Sequence, residues 1–232
     1  MKAFEQENRI RVSLNKLVTE LNKIDLEKLQ NEHEDGRVNS ITHEDRIIEL
    51  IDNIAPNVYE TPTSRNWFDI SKSEDKDSLF FPINIKSSAF KSSDNVSSKK
   101  GLFYTLTGKL PSSDGWESFF KELATYINED NRQDIYDYYF LVYNKETGEF
   151  FASSLKSIKK LTPNGSNLPF QVKWGIDNCF SSLPLFECED DYINFNKIGS
   201  QYIFKVFKQS LEKKHSSYKT FTELNWGDLE NE

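Results

Sequence analysis

The sequence contains few residues that could cross-link the chain or hold a soft metal. Its 232 residues include 2 cysteines, Cys179 and Cys188, and only 3 histidines. We interpret the cysteines as free, partly buried thiols, because an intracellular chain of this size does not need a disulfide. No cysteine or second histidine stands near any histidine at zinc-ligand spacing, which argues against a zinc site.

Long apolar runs are also missing. No stretch is long enough to span a bilayer, and the first residues lack the apolar segment of a secretion signal. Hydrophobic residues still make up 37% of the chain, which is enough to build a core. The composition therefore predicts a soluble, cytoplasmic protein with no membrane partner.

Motifs of several common enzyme classes are absent. The chain has no glycine-rich phosphate loop, so we expect no use of ATP. Residues 43–46 include one histidine but lack the second histidine of a metalloprotease helix, and no serine or cysteine catalytic triad is recognisable. Nucleotide-driven enzymes and the common hydrolase classes are therefore not indicated.

The basic residues are concentrated in two segments, although the net charge is −8. Five lysines but one acid lie within residues 86–109, and six lysines but one acid lie within residues 197–219. Each run taken alone is most simply a solvated surface. Together they predict that an acidic protein presents a basic cleft to phosphate groups.

Apolar periodicity predicts two helices near the start of the chain. A heptad-like seam indicates a packing helix or, as the alternative, a dimer contact. The seam consists of Ile10, Leu14, Leu17, Leu21 and Ile24. The second helix runs from Thr42, its predicted N-cap, to Ala55. Its apolar face includes Glu44, and a carboxylate there is costly unless it is paired or binds a cation.

Strand-like segments follow at residues 66–70 and 79–85, joined by a predicted hairpin turn at residues 71–77. Pro82 indicates that the second strand lies at a sheet edge or contains a bulge. Polar composition predicts two loops, at residues 31–40 and 87–113. The remaining predicted elements are helices at residues 116–128 and 198–211 and strands at residues 136–143, 149–153 and 168–174.

Polar side chains suited to catalysis lie on the first two strands. Asn84 and Lys86 are two residues apart, so on a strand their side chains leave on the same face. Asp69, on the neighbouring predicted strand, can meet them there. The order of helix with an inward acid, strand ending in Asp69, hairpin, strand, helix and strand resembles the PD-(D/E)XK nuclease superfamily, and within it the type II restriction endonucleases.

The resemblance covers less than half of the chain. Asp69 matches the first acid of the family motif, although Phe68 replaces the usual preceding proline. Lys86 matches the motif lysine, and Glu44 matches the acid that many members place on the helix before the core. Asn84 stands where the family usually has Asp or Glu.

The resemblance implies an α/β fold with a restriction-endonuclease-like core. This core would be a mixed β-sheet flanked by helices, in the order αβββαβ, with helical additions at both ends. We expect one domain over residues 1–232. Residues 1–35 would form an N-terminal helical arm that can contact a dimer partner, residues 40–145 the catalytic core, and residues 146–232 a sheet extension with DNA-recognition elements and the C-terminal helix.

The chemistry implied by the resemblance depends on Mg²⁺, with Mn²⁺ as a substitute. Mg²⁺ prefers oxygen ligands, and the Asp69 carboxylate, the Asn84 side-chain carbonyl and the Ile85 backbone carbonyl supply three. Because Asn84 is neutral, Glu44 could restore the missing negative charge. Lys86 would orient the attacking water and stabilise the negative charge that develops.

Duplex DNA would be contacted from the segment beside the site and from a later strand. A solvated loop is the alternative explanation for the first group, and an ordinary amphipathic strand is the alternative for the second. The candidates are Ser87, Ser88, Lys91, Lys99, Lys100 and Lys109 in the first group, and Gln171 and Lys173 in the second.

The function that the resemblance implies is that of a type II restriction endonuclease, which hydrolyses phosphodiester bonds in duplex DNA at a short specific site. Such an enzyme works as a homodimer on a symmetric site and is paired with a methyltransferase. One alternative is a structure-specific repair or recombination nuclease of the same superfamily. The other is a catalytically inactive DNA-binding or interaction protein, which the neutral Asn84 keeps open.

Overall fold

The computed structural model describes residues 2–24, 36–63, 66–74, 79–96, 98–129, 136–164, 169–175, 178, 182–214 and 217–230. The helices are α1 (Ala3–Leu21), α2 (Gly36–Ile54), α3 (Lys99–Thr107), α4 (Trp116–Ile127), α5 (Glu189–Lys214) and α6 (Tyr218–Thr222). The strands are β1 (Ile70–Glu74), β2 (Leu79–Ser88), β3 (Asp94–Asn95), β4 (Tyr139–Asn144), β5 (Phe150–Ser154), β6 (Leu161–Pro163) and β7 (Phe170–Val172). None of the helices in these described ranges is long and apolar enough to cross a bilayer.

The main sheet has the strand order β1-β2-β4-β5 and is mixed. Strands β2 and β4 are parallel, whereas the β1–β2 and β4–β5 pairs are antiparallel. A second, antiparallel sheet has the order β3-β7-β6. The fold is therefore mixed α/β, as the sequence predicts.

Both faces of the main sheet are covered. Side chains alternate along each strand, so Ile83 and Ile85 of β2 pack in one apolar cluster with α1 and α2. Phe140 and Val142 of β4 pack on the other face, in a cluster formed with α3, α4, α5 and the second sheet. Every residue of β4 is buried, which explains why its sequence is almost continuously apolar.

Helix α1 packs into its own chain. The side chains of Ile10, Leu14, Leu17 and Leu21 are at most 3% exposed, and Ile24 lies beyond the helix end. The packing interpretation of the seam is therefore confirmed, and the seam is not left open for a dimer partner.

Two asparagines tie α1 to a distant segment. The Asn8 side chain donates to the backbone oxygen of Phe186 (2.8 Å) and accepts from its backbone nitrogen (2.9 Å). Asn15 makes the same pair of bonds with Leu183, at 3.0 and 2.6 Å. Helix α1 is thus fixed by backbone groups near the start of α5.

The predicted start of the second helix is wrong. Helix α2 begins at Gly36, so residues 36–40 are not a loop and Thr42 is not an N-cap. Residues 31–35 lie outside the described residues. The segment that precedes Thr42 is polar but contains no proline, and polarity alone does not stop a helix.

The predicted hairpin turn is too long. Strand β1 runs from Ile70 to Glu74, so only the last residue of the strand predicted at residues 66–70 belongs to it, and Asp69 lies just before it. Its ladder pairs Ser71 with Pro82 and Glu74 with Leu79. Pro82 also lies in an inner strand rather than at an edge or bulge. The β2–β4 ladder begins one residue later, at Ile83, so the missing N–H of Pro82 costs no bond in that ladder.

The loop predicted at residues 87–113 is wrong as well. Strand β2 continues to Ser88, and α3 is a buried helix. The Ser98 hydroxyl caps α3 by accepting from the Gly101 backbone nitrogen (3.0 Å). Gly108 ends the helix at φ 68°, and a side chain there would collide with the ring of Tyr136.

The other predicted elements are present with shifted ends. Helix α4 and the β4–β5 hairpin lie where periodicity places them, β7 is shorter, and α5 is longer at both ends. Cys188 is exposed rather than partly buried. Cys179 lies outside the described residues.

Candidate active site

Asp69 lies beside β2 where the β1–β2 ladder stops. The backbone nitrogen of Asp69 donates to the Ile83 oxygen (3.0 Å), and the Ile85 backbone nitrogen donates to Asp69 Oδ2 (2.7 Å). The last ladder pair is Ile70 with Ile83, so the edge of β2 at Ile85 meets a carboxylate in place of a strand. The predicted approach of Asp69 to the β2 segment is confirmed.

Helix α2 brings Glu44 to the same end of β2. The buried His43 anchors the helix there, because its Nδ1 lies 3.0 Å from the Ser87 hydroxyl oxygen. Glu44 Oε1 lies 3.9 Å from Lys86 Nζ, and the two side chains are 25% and 23% exposed. The predicted inward orientation of Glu44 is therefore confirmed, and its partner is the lysine of the motif.

Asn84 shares a face of β2 with Lys86. Its neighbours Ile83 and Ile85 face the α1–α2 cluster, so Asn84 and Lys86 leave β2 on the opposite face. Tyr138 lies near Asn84 on that face, and its hydroxyl donates to the Trp67 backbone oxygen.

The Tyr138 hydroxyl has a single proton, and that proton is used on Trp67. Burial raises the pKa of Tyr138 far above its usual value, and the charge of Asp69 acts in the same direction, so this hydroxyl remains protonated.

Negative charge at the site is incompletely compensated. Burial raises the pKa of Glu44 to about 7, and the attraction of Lys86 opposes this only in part. Burial also raises the pKa of Asp69, against the hydrogen bond from Ile85 and the charge of Lys86. The carboxylates of Glu44 and Asp69 thus face the single positive charge of Lys86 in a partly desolvated site. This arrangement favours the binding of a further cation.

The donor set is made of oxygens. Among the residues that the structure describes, no group of three or more His, Cys, Asp or Glu side chains lies together as a metal site. A metal here would therefore depend on the carboxylates of Asp69 and Glu44 together with two neutral oxygens, from the Asn84 amide and the Ile85 carbonyl.

The sequence did not indicate two charged residues that adjoin this cluster. Asp94 Oδ2 accepts from the Trp174 indole nitrogen (2.7 Å). Lys145 follows β4, and its backbone nitrogen donates to the Ser88 oxygen (3.0 Å). The charge of Asp94 acts on Glu44, and it also acts on both lysines, Lys86 and Lys145. An acid inside a run of serines and lysines was the only signal in the sequence.

Ser87 and Ser88 are not on a surface loop. Both belong to β2 and are only 8% and 3% exposed. Ser87 contacts His43, and the Ser88 hydroxyl donates to the Ala89 backbone oxygen (3.2 Å), so their hydroxyls serve internal contacts. The loop interpretation of these two DNA-binding candidates is wrong.

Two of the predicted DNA-binding lysines also have internal partners. Lys99 Nζ donates to the Asp114 backbone oxygen and lies 4.5 Å from the centre of the Trp116 ring. Lys109 Nζ lies 2.8 Å from a carboxylate oxygen of Glu129.

The other four candidates retain surface. Lys91, Lys100 and Lys173 are exposed. Gln171 is half-buried, and its amide donates to Asn95 Oδ1 (3.2 Å). Contact of these side chains with DNA remains a prediction.

No model of a known protein family matches the chain, and no curated protein matches it. The chemistry of the site is therefore argued from its own geometry.

Proposed function

We propose that the protein is a Mg²⁺-dependent endonuclease of the type II restriction class, which hydrolyses phosphodiester bonds in duplex DNA at a short specific site. The observation that carries this proposal is the meeting of four side chains where the β1–β2 ladder ends. They are Asp69, Asn84, Lys86 and Glu44. They come from a helix and from two adjacent parts of the sheet, so their approach is a product of the fold.

The order of elements supports the same proposal. Helix α2, strands β1, β2 and β3, helices α3 and α4 and strand β4 follow one another, which resembles the αβββαβ order of the PD-(D/E)XK core, although β3 pairs in the second sheet. An isolated bridge between Glu60 and Ser71 lies beside β1.

The oxygen donors suit Mg²⁺, and Mn²⁺ would be accepted at the same place. Asp69, Glu44 and the side-chain oxygen of Asn84 would hold the ion. The Ile85 backbone nitrogen faces Asp69, so the carbonyl of the same residue leaves the strand on the same edge and can join them. When bound, the ion lowers the pKa of a water and polarises the phosphate.

The chain itself supplies orientation and charge. Lys86 is held near Glu44 and projects beside Asn84, where its ammonium can donate to the attacking water and to a phosphate oxygen. A symmetric recognition site would require a homodimer in which each subunit supplies one active site.

The test is a digest of a plasmid of known sequence by the full chain with Mg²⁺ and with Mn²⁺. We expect discrete fragments. Cleavage confined to branched or gapped duplexes would favour the repair nuclease. If the wild type does not cleave and Asn84→Asp does, the result would favour an inactive DNA-binding protein. The neutral amide of Asn84 is the feature that supports this alternative.

Lys86→Ala should lower the rate of cleavage by about 10²–10³-fold, because it removes charge stabilisation in the transition state. Binding of the plasmid, measured by gel shift, should be almost unchanged. Lys16→Ala, an exposed lysine on α1, is the matched control and should cut at the wild-type rate. Retained activity in Lys86→Ala would show that the site is assigned wrongly.

A further inference from the structure

We propose that Lys145 is a second phosphate-binding residue of this site and that Asp94 holds it in position. The proposal rests on the proposed nuclease function. It assigns a substrate contact to a residue of the β4–β5 turn, where the sequence indicated only a connection between two strands.

The backbone places Lys145 beside the site. Its nitrogen donates to the oxygen of Ser88, the last residue of β2. In the parallel ladder Lys86 lies opposite Val142 and Ser88 lies opposite Asn144. Lys145 thus follows the carboxyl ends of two adjacent parallel strands, which is where open α/β sheets bind their ligands.

The two lysines are spaced for different phosphates. Lys145 is three residues beyond the partner of Lys86, or ~10 Å along the strand. Along one DNA strand, successive phosphates are ~3.4 Å apart in axial rise. When Lys86 contacts the reacting phosphate, Lys145 is therefore placed to contact a phosphate further along the same DNA strand.

The surroundings of Lys145 suit an anionic ligand. Its side chain is half-buried, and burial lowers its pKa, whereas Asp94 and Glu44 favour its charged form. Within the described part of the chain it makes no ion pair. Lys99 and Lys109, by contrast, already have partners on their own chain, at Asp114 and Glu129.

Asp94 is fixed before any ligand binds. The buried Trp174 indole donates to its carboxylate at 2.7 Å. The pairing of Asp94 with Val172 joins β3 to β7 and fixes the position of the Asp94 backbone. An immobile carboxylate can restrict the lysine that it attracts, which reduces the entropy lost on binding phosphate.

The first experiment measures steady-state plasmid cleavage by the full chain with Mg²⁺ at increasing NaCl. Lys145→Ala should raise KM about tenfold and change kcat little, because the lost contact lies away from the reacting phosphate. The plot of log(kcat/KM) against log[NaCl] should become shallower by about one. Lys145→Arg should retain the wild-type slope, and Lys16→Ala should match wild type throughout.

An unchanged salt slope in Lys145→Ala, with a wild type that cuts the plasmid, would overturn this proposal and leave the nuclease proposal standing. A wild type that neither binds nor cuts DNA would contradict both. Thermal melting of each variant separates a lost contact from a lost fold, since the turn residue Lys145 contributes no described ion pair to stability.

The second experiment tests the role of Asp94 as a positioning residue. Asp94→Asn keeps an acceptor for Trp174 and removes the charge. The effect of Lys145→Ala on KM should be at least about threefold smaller in this background, because the two residues act as one unit. An equal effect would exclude positioning by Asp94. A raised Mg²⁺ requirement in Asp94→Asn alone would show instead that Asp94 binds the metal.

Discussion

Two clusters of charged side chains beside the main sheet differ in how completely they are paired. On the α1 side, Glu7 and Arg11 are 2% and 0% exposed, with Arg11 Nε 2.7 Å from Glu7 Oε1. The Tyr139 hydroxyl contacts both oxygens of Glu7, at 2.7 and 2.8 Å. The rings of Phe186 and Phe195 lie 4.5 and 4.7 Å from the Arg11 guanidinium.

The cluster at the candidate active site is built differently. Glu44 and Lys86 are 3.9 Å apart and each is about a quarter exposed. Asp69 is bonded to a backbone nitrogen, and Asn84 offers an amide oxygen. The first cluster pairs its charges within the chain and serves the fold, although one nitrogen of Arg11, Nη2, has no hydrogen-bond partner among the described residues. The second leaves negative charge to be satisfied by a ligand, which is the property expected of a functional site.

The largest expected effect is on the free energy of unfolding when the buried Glu7–Arg11 pair is broken. Arg11→Ala leaves Glu7 buried without its partner and should lower the free energy of unfolding by ~3–5 kcal/mol in urea titrations. Lys23→Ala is the matched control, because Lys23, just beyond the end of α1, is also 2.7 Å from Glu20, but these side chains are 63% and 38% exposed. Its cost should be below ~1 kcal/mol. Equal costs would mean that burial does not distinguish the two pairs.

The second prediction concerns pH. Asp137 is fully buried near the Glu7–Arg11 cluster, and burial raises its pKa from 3.8 to about 6 although Lys156 opposes the shift. A raised pKa means that the folded state prefers the protonated acid, so stability is lost as pH rises through about 6. The shift corresponds to ~3 kcal/mol between acidic and neutral pH.

Asp137→Asn keeps the acceptor for the backbone nitrogens of Tyr138 and Lys156 and removes the titrating group. The variant should therefore gain stability relative to wild type between pH 4 and pH 7, measured by urea titration across this range. Asp52→Asn, at an exposed position of α2, controls for the change of net charge. Parallel curves for wild type and Asp137→Asn would contradict the prediction.

The smallest effect is expected at the open cluster. Glu44→Gln should change the free energy of unfolding by less than ~1 kcal/mol in EDTA, because the pair with Lys86 is long and partly exposed. The same substitution at Glu7 leaves Arg11 unpaired and should cost several times more. Comparable costs at Glu44 and Glu7 would remove the distinction between a structural and a functional cluster.

The site residues whose orientation follows from the periodicity of a single helix or strand could be predicted from the sequence. Glu44 was placed inward although the predicted helix started six residues late, because the angle between residues on a helix does not depend on where the helix begins. Asn84 and Lys86 share a face through the two-residue period of a strand. The approach of Asp69 followed from its place on a neighbouring strand.

Asp94 and Lys145 could not be predicted in this way. Asp94 reaches the site because β3 pairs with β7, a contact between segments far apart in the sequence, and Lys145 because its turn bonds to Ser88. Neither pairing leaves a local periodic signal. Helix α3 is different, because Ser98 and Gly108 mark its two ends, and these capping signals were available in the sequence.

The bonds of Asn8 and Asn15 to residues 186 and 183 have a kinetic consequence. Helix α1 is the first described helix to be synthesised, yet it takes its final place only after most of the chain has followed it. Contacts so distant in sequence slow folding, because a long loop must close before they form. During synthesis the apolar seam of α1 therefore stays exposed to solvent until the segments that cover it have been made. We expect the N-terminal part of the chain to be the part most prone to aggregation at that stage.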